Sequence, residues 1–485
     1  MGFNTNSILL ILGKVLVLLG LAMILPFITS LIYNESLAMI AFSLTIIPSI
    51  IFGSAIVYKI KPTQAPVKIR DGFLIVATIW LLATIVGALP FTLSGSMPYV
   101  DALFETSSGF TTTGASIIKD VEILPRSILF WRSFTHWLGG LGIVIFAIAL
   151  MPQLNIGGFN IVRAETPGPS VEKLSPKLKD QARILFVVYM CMTLAETFLL
   201  KFGGLTWFES LVYTFGSVGT GGFATYNASV GHFEGSYVPI VITIFMIMGG
   251  ANLSLYYTSF KFGISKLLND AEFRCYMAII GISMLAITLN LMFMDVYSPG
   301  IALRESAFQV SSVITTTGYA TVNYDLWPTF SKCVLFALYF CGGCSGSTGG
   351  GPKVIRVLVL LKFIQRGILV RLHPNAIIDV KLDGKPLSAD VVSAITGFAF
   401  LYLTTVVLSG AIISLDGYDL ITSFSASFAC IGNVGPGFNL VGPAMNYSFF
   451  SDWSKLFMTF LMLAGRLEFF TLFMLFTPRF WNKDR

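Results

Sequence analysis

Charge is scarce in this chain. Only 12% of its 485 residues are Asp, Glu, Lys or Arg, about half the share of a soluble globular protein. That scarcity excludes a charge-hydrated soluble domain and, with it, nucleic-acid binding, which needs a soluble basic face. Histidine occurs three times, at His136, His232 and His373, too scattered for a metal cluster. The six cysteines form no framework. Cys191, Cys275, Cys333 and Cys430 fall within apolar segments and read as buried free thiols. Cys341-x-x-Cys344 sits in a glycine run with no second pair nearby, so metal or redox chemistry is not expected of it. No nucleophile–base pair or metal pair stands inside the apolar segments, so the chain is not expected to be an enzyme. No basic stretch precedes the first apolar run, Ser7 to Ile32, which is too long for a signal-peptide core and reads as a retained span.

What the chain has is apolar length. Hydrophobic residues make up 55%, mean hydropathy is +0.79, and apolar runs near 20 residues recur throughout. Each is long enough to cross a hydrocarbon core of about 30 Å as a helix. The chain therefore reads as an all-α polytopic membrane protein. Its 31 Lys and Arg cluster: 4 in Lys59–Arg70, 5 in Arg163–Arg183, 3 in Lys261–Arg274, 7 in Lys353–Lys385 and 3 in Arg479–Arg485. The positive-inside rule places these five segments in the cytoplasm. The net charge of +6 thus reports orientation.

The hydroxyl-rich stretch SSGFTTTGAS, Ser107 to Ser116, has three relatives: SVGTGGFAT from Ser217, SSVITTTGYAT from Ser311 and IGNVGPGFN from Ile431. Aligned on Gly114, Gly222, Gly318 and Gly437, they recur at intervals of 108, 96 and 119 residues. Each follows a long apolar run and a short amphipathic stretch, and each precedes a polar loop and a second apolar run. The units run over about Asp71–Pro152, Asp180–Phe262, Glu272–Leu372 and Ser388–Thr477, after two spans in Ser7–Lys59. Ten crossings follow, with both termini cytoplasmic. As segments this gives two extra N-terminal spans in 1–62, units in 63–155, 180–270, 271–375 and 376–478, a cytoplasmic linker in 156–179 and a tail in 479–485.

The short stretches (Tyr99–Phe110, Trp207–Val218, Leu303–Ile314, Ile421–Asn433) cannot span a membrane at 1.5 Å per residue, but they can enter and return. Asp101, Glu209 and Glu305 each lie 13 residues before the glycine of their copy. They favour the positive end of a helix dipole, which would aim the negative end at the motif; an ordinary N-terminal cap is the alternative reading. A dehydrated monovalent cation needs oxygen ligands, and main-chain carbonyls supply them without full charge. Turning successive carbonyls to one side requires left-handed dihedrals, which glycine adopts at least cost.

Four covalently joined span–short helix–filter–span units resemble the superfamily of potassium transporters, and the two extra N-terminal spans resemble its Trk-type bacterial uptake subunits, TrkH. The motifs TTTGAS, VGTGGFAT and TTTGYAT carry the resemblance, which covers essentially the whole chain. It implies potassium bound at Thr111, Thr112, Thr113 and Gly114; at Gly219, Thr220, Gly221 and Gly222; at Thr315, Thr316, Thr317 and Gly318; and at Val434, Gly435, Pro436 and Gly437. The fourth set departs most, because VGPG replaces the threonine run and Pro436 has no N–H. The ring is therefore uneven. The resemblance also implies a homodimer in the bacterial inner membrane, docked to a cytoplasmic nucleotide-binding ring of the TrkA type, with potassium as cargo and no organic cofactor in this chain.

CGGCSGSTGGGPK, Cys341 to Lys353, interrupts the second span of the third unit. It is no phosphate-binding loop, because Pro352 separates Gly351 from Lys353 and Val354 follows. In Trk-like proteins a glycine-rich loop here obstructs the pore beneath the filter, which implies gating roles for Gly346, Gly349, Gly350, Gly351 and Lys353. A packing kink is the alternative. Arg466, within LMLAGRLEFF, costs at least about 3 kcal/mol at mid-membrane unless it faces water or a partner. It is expected either to form a barrier with that loop, or to pair with Glu468 or snorkel. Against passive permeation stands potassium symport coupled to protons or sodium, with Glu105, Glu196 and Glu468 as candidate coupling carboxylates.

Overall fold

The computed structural model describes residues 3–61, 68–142, 178–376 and 378–482. Most of the expected linker 156–179, the end of the first unit and the last residues of the tail lie outside them. Among the described residues, six helices are long and apolar enough to cross a membrane: Thr5–Ile32, Ser36–Lys59, Ile69–Leu93, Ala182–Phe202, Ala271–Phe293 and Ala389–Asp416. Two bent pairs bring this to as many as eight. The second spans of the first and third units fall outside that count. The described part of one is the helix Arg126–Gly140, and the other is interrupted by the glycine-rich loop.

Burial follows the solvent that hydropathy implied. Ile85, Phe198, Ile282 and Phe400 are exposed on the outside of the helices, while Thr106, Ser107, Ser210, Ser306 and Ser423 are buried. Several buried hydroxyls donate to the helical carbonyl four residues back: Ser306 to Ala302 at 2.7 Å, Thr84 to Trp80 at 2.9 Å and Thr193 to Tyr189 at 2.9 Å. Aromatic side chains fill the space behind the short helices, with Trp80, Trp131, Phe104, Phe110 and Tyr213 almost wholly buried.

The N-terminal helices Thr5–Ala22 and Ile24–Ile32 form one kinked span that packs antiparallel to Ser36–Lys59. Glu35, at the tip of this hairpin, accepts the amides of Arg126 at 2.6 Å and Ser127 at 3.0 Å. These are orphan donors at the start of the helix Arg126–Gly140, so the carboxylate caps it from another span. The Arg126 guanidinium lies 4.6 Å from the Tyr33 ring centroid.

The short helices occupy Tyr99–Phe110, Trp207–Val218, Pro299–Ile314 and Leu420–Gly432. The first two match the expected bounds. The third starts earlier because Pro299 is suited to a first helical turn. The fourth ends at Gly432, and Asn433 is its left-handed cap. The four helices that follow the elbows all break beside them. Arg126–Gly140 ends at a glycine pair, Tyr237–Gly250 bends by 90° into Leu253–Phe262, Thr329–Leu338 gives way to the glycine-rich loop, and Asp452–Arg466 turns by 112° into Phe470–Phe476. Close approach explains the glycines. A Cβ on Gly139 would lie 1.8 Å from the Phe110 carbonyl oxygen, and one on Gly465 would lie 2.1 Å from that of Ile431.

The cysteines are free. Of the four expected to be buried, Cys430 is buried and Cys275 half-buried, but Cys191 and Cys333 are exposed on the apolar exterior, where a thiol is as well placed as in a core.

Candidate functional site

Each short helix ends in an elbow with the same backbone hydrogen bonds. The second elbow residue donates to the carbonyl three residues back: Thr112 to Gly109, Thr220 to Ser217, Thr316 to Val313 and Asn433 to Cys430. The third donates five residues back: Thr113 to Ser108 at 2.8 Å, Gly221 to Gly216 at 2.7 Å, Thr317 to Ser312 at 2.9 Å and Val434 to Ala429 at 3.0 Å. The amides are thus used up on the helix side. Left-handed dihedrals alternate along each elbow, at Thr112 and Gly114, Thr220 and Gly222, Thr316 and Gly318, and Asn433 and Gly435. A β-branched residue in this region is a genuine outlier, costing on the order of 1–3 kcal/mol. Three threonines with φ of 53–59° at one equivalent position mark a backbone shape held for use.

This pattern corrects the fourth register. The glycine equivalent to Gly114, Gly222 and Gly318 is Gly435, two residues before Gly437. The fourth elbow is therefore Gly432–Gly435, which adds Gly432 and Asn433 and removes Pro436 and Gly437. Tyrosine hydroxyls reach the carbonyls on both sides of this boundary: Tyr447 donates to Gly435 at 2.8 Å, Tyr339 to Pro436 and Tyr324 to Gly437 at 3.0 Å, so the register rests on the dihedrals and amide bonds.

The elbows close into a cycle. A Cβ on Gly114 would lie 2.2 Å from the Gly221 carbonyl oxygen, one on Gly222 2.0 Å from that of Thr317, one on Gly318 2.5 Å from that of Val434, and one on Gly435 2.5 Å from that of Thr113. Each fourth-position glycine thus abuts the third-position carbonyl of the next elbow, and the last returns to the first. No side chain fits at these points.

A polar layer supports the cycle from behind. Glu105 is fully buried and pairs with Arg132 at 2.5 Å; it also accepts Ser116 Oγ and the Ile117 amide, each at 3.0 Å. Arg132 continues to the Ala224 carbonyl at 3.0 Å and stacks over the Phe223 ring at 3.6 Å. His136, buried between two elbows, has Nδ1 2.8 Å from the Gly109 carbonyl oxygen, and its Nε2 accepts the Phe223 amide at 3.2 Å. Donation by Nδ1 and acceptance by Nε2 define one neutral tautomer. The dipole-oriented acids take three different partners. Asp101 accepts Lys455 Nζ at 2.7 Å, Glu209 forms a capping box with Thr206, and Glu305 meets Arg304 and Thr321. For Glu209 the ordinary cap is the reading that the contacts bear out.

The glycine-rich loop lies against one end of the cycle. Thr348 Oγ1 donates to the Val218 carbonyl at 3.0 Å and to that of Gly249 at 3.1 Å, and receives Thr220 Oγ1 at 3.2 Å. The Gly350 amide donates to Thr316 Oγ1 at 2.7 Å. A Cβ on Gly350 would lie 2.7 Å from Asn433 Cβ, and one on Gly349 2.7 Å from the Thr315 carbonyl oxygen. Gly346 and Gly351 take left-handed dihedrals, and Lys353 Nζ folds back onto the Gly349 carbonyl at 2.8 Å. Arg466 completes the contact, donating to Thr112 Oγ1 at 3.2 Å, the Thr348 carbonyl at 2.8 Å and the Gly139 carbonyl at 2.6 Å. The loop and Arg466 thereby touch the second residue of all four elbows. Glu468 pairs with Arg356, not with Arg466.

Several participants have weak sequence signals. Asn433 is the residue type most tolerant of left-handed backbone after glycine. The glycine pairs Gly139–Gly140, Gly249–Gly250 and Gly342–Gly343, with Gly465, recur after each elbow. His136 and Glu272 carry no pattern beyond being polar in apolar helices.

Oily helices outside and buried hydroxyls inside, with four elbows closing on one another, define a multi-pass integral membrane protein. Comparison with known proteins agrees: residues 38–483 match TrkH, a cation transport protein. The Trk system potassium uptake protein TrkH of Escherichia coli K12 is 36% identical over 483 residues, covering 99% of each chain. The Halomonas elongata TrkH is 33% identical over 484 residues, covering 99% of this chain and 100% of its own. The crystal structure of the potassium transporter TrkH from Vibrio parahaemolyticus superposes with a TM-score of 0.89 at 33% identity, covering 99% of this chain and 100% of that one. The chain belongs to the TrkH family.

Proposed function

We propose that this protein takes up potassium across the bacterial inner membrane by channel-like permeation through the cycle of elbows. Ten crossings carry it: two N-terminal spans, then four span–short helix–filter–span units in pseudo-four-fold arrangement, with both termini and the basic linkers in the cytoplasm. Potassium binds as cargo at the carbonyls of Thr111–Gly114, Gly219–Gly222, Thr315–Gly318 and Gly432–Gly435. The glycine-rich loop and Arg466 close the path. A homodimer docked to a TrkA-type nucleotide-binding ring regulates it. The names of the relatives, all Trk system potassium uptake proteins, support the cargo. The observation that carries permeation is the cyclic abutment of Gly114, Gly222, Gly318 and Gly435 on neighbouring carbonyls, with the elbow amides turned away.

Coupled symport with protons or sodium is the second reading, and its seat narrows to one group. Glu105 and Glu468 are committed to arginines. Glu196 is buried, accepts Ser217 Oγ at 2.5 Å on one oxygen and, among the described residues, has no partner on the other. Rubidium-86 uptake into liposomes holding the purified protein tests the proposal. Uptake suppressed by excess unlabelled potassium but not by sodium supports it; uptake no faster than in empty liposomes refutes it.

A further inference from the structure

Gly435 differs from its three equivalents in what its carbonyl does. Among the described residues, no side chain donates to the carbonyl of Gly114, Gly222 or Gly318. The Gly435 carbonyl accepts the Tyr447 hydroxyl at 2.8 Å. Tyr447 is almost fully buried, so water does not compete for this bond. Its own amide donates to the Ser116 carbonyl at 2.8 Å, just past the first elbow. Its ring packs on Phe104 of the first short helix with centroids 5.6 Å apart. One residue therefore joins the exits of the first and fourth elbows, which are neighbours in the cycle. The fourth elbow also lacks the paired threonine hydroxyls that brace the first at Thr111–Thr113 and the third at Thr315–Thr317, each at 2.7 Å. Gly432 and Val434 stand at those positions, as Gly219 and Gly221 do in the second elbow, and of these two elbows the fourth has the tyrosine hydroxyl on its last carbonyl.

We propose that the Tyr447 hydroxyl is a specificity-determining contact: by holding the Gly435 carbonyl, it fixes the size of the fourth-position ring of oxygens and so the preference for potassium over sodium. This rests on the filter reading above. A carbonyl held at 2.8 Å from a buried phenol resists moving inward to meet a smaller ion, whereas a released one can follow it. Tyr447 acts through Gly435 and is a positioning residue. The neighbouring hydroxyl of Tyr324, on Gly437, lies beyond the ring and supplies a control with the same chemistry.

The test is the potassium-to-sodium permeability ratio from reversal potentials of the full chain in planar bilayers, which does not depend on the amount of protein inserted. Tyr447→Phe removes one oxygen and is expected to lower the ratio about five-fold, the worth of one neutral hydrogen bond. Tyr324→Phe is expected to leave it unchanged. A 3-fluorotyrosine at 447, a stronger donor with the ring retained, is expected to raise the ratio, and it keeps the test available if the phenylalanine variant fails to fold. An unchanged ratio in either 447 variant, or equal losses in Tyr447→Phe and Tyr324→Phe, overturns the proposal. A parent protein with no potassium preference would instead refute the filter reading itself.

Discussion

Arg466 and Thr348 meet at 2.8 Å, guanidinium to main-chain carbonyl, although one ends a helix of the fourth unit and the other sits mid-loop in the third. The same guanidinium reaches Thr112 Oγ1 and the Gly139 carbonyl. On the function proposed above, a cation fixed there would repel a permeating cation and tether the loop. Arg466→Ala removes both effects, and the basal rubidium-86 flux is expected to rise several-fold. Unchanged flux at normal expression would count against the barrier.

Glu272 fastens the other side of that loop, accepting the Ser345 amide at 2.6 Å and the Ile355 amide at 3.2 Å. Hydrogen bonds to a charged group are worth about 1.5–3 kcal/mol each. Glu272→Gln is expected to loosen both ends without removing an anchor to the elbows. Amide hydrogen exchange over residues 344–356 should quicken by at least about ten-fold while the short helices stay protected. Equal protection in the variant would show that the carboxylate does not hold the loop.

The buried Glu105–Arg132 pair makes a sharper stability prediction. Losing one partner leaves an uncompensated buried charge, at a cost of about 3–5 kcal/mol. Arg132→Met should therefore lower the thermal unfolding midpoint in detergent markedly, and Glu105→Leu combined with Arg132→Met should recover much of the loss. A double variant as unstable as the single one would mean that the pair's hydrogen bonds to Ser116, Ile117 and Ala224 matter more than its charge balance.

Gly139→Ala places a methyl group 1.8 Å from the Phe110 carbonyl oxygen, a backbone atom that cannot move without displacing the first elbow. It is expected to abolish potassium-dependent growth complementation. Gly281→Ala, where nothing lies within 4 Å, is expected to be silent. Growth with Gly139→Ala would show that the helix break and the elbow are not in register as described.

Much of this architecture was legible in the sequence because membrane burial leaves coarse marks. Apolar runs gave the helices, and recurrence of TTTG-like stretches gave three elbows in register. The fourth was misaligned because Gly432, Gly435 and Gly437 lie within six residues, and aligning on the last matched the following Phe-Asn to no fixed geometry. The deciding facts are dihedral: Asn433 and Gly435 are the left-handed pair. The roles of Glu272, His136 and Tyr447 were not legible, since each depends on which distant backbone group the fold brings to a single side chain.

The central claim is that potassium passes down its own gradient through the elbows, unaccompanied. The most direct measurement is the reversal potential of the Arg466→Ala protein in planar bilayers under a fixed potassium gradient, with proton and sodium gradients imposed in turn. The expected result is a reversal potential close to the potassium equilibrium potential and indifferent to either added gradient. A shift that follows the proton or sodium gradient in a fixed ratio to potassium would contradict permeation.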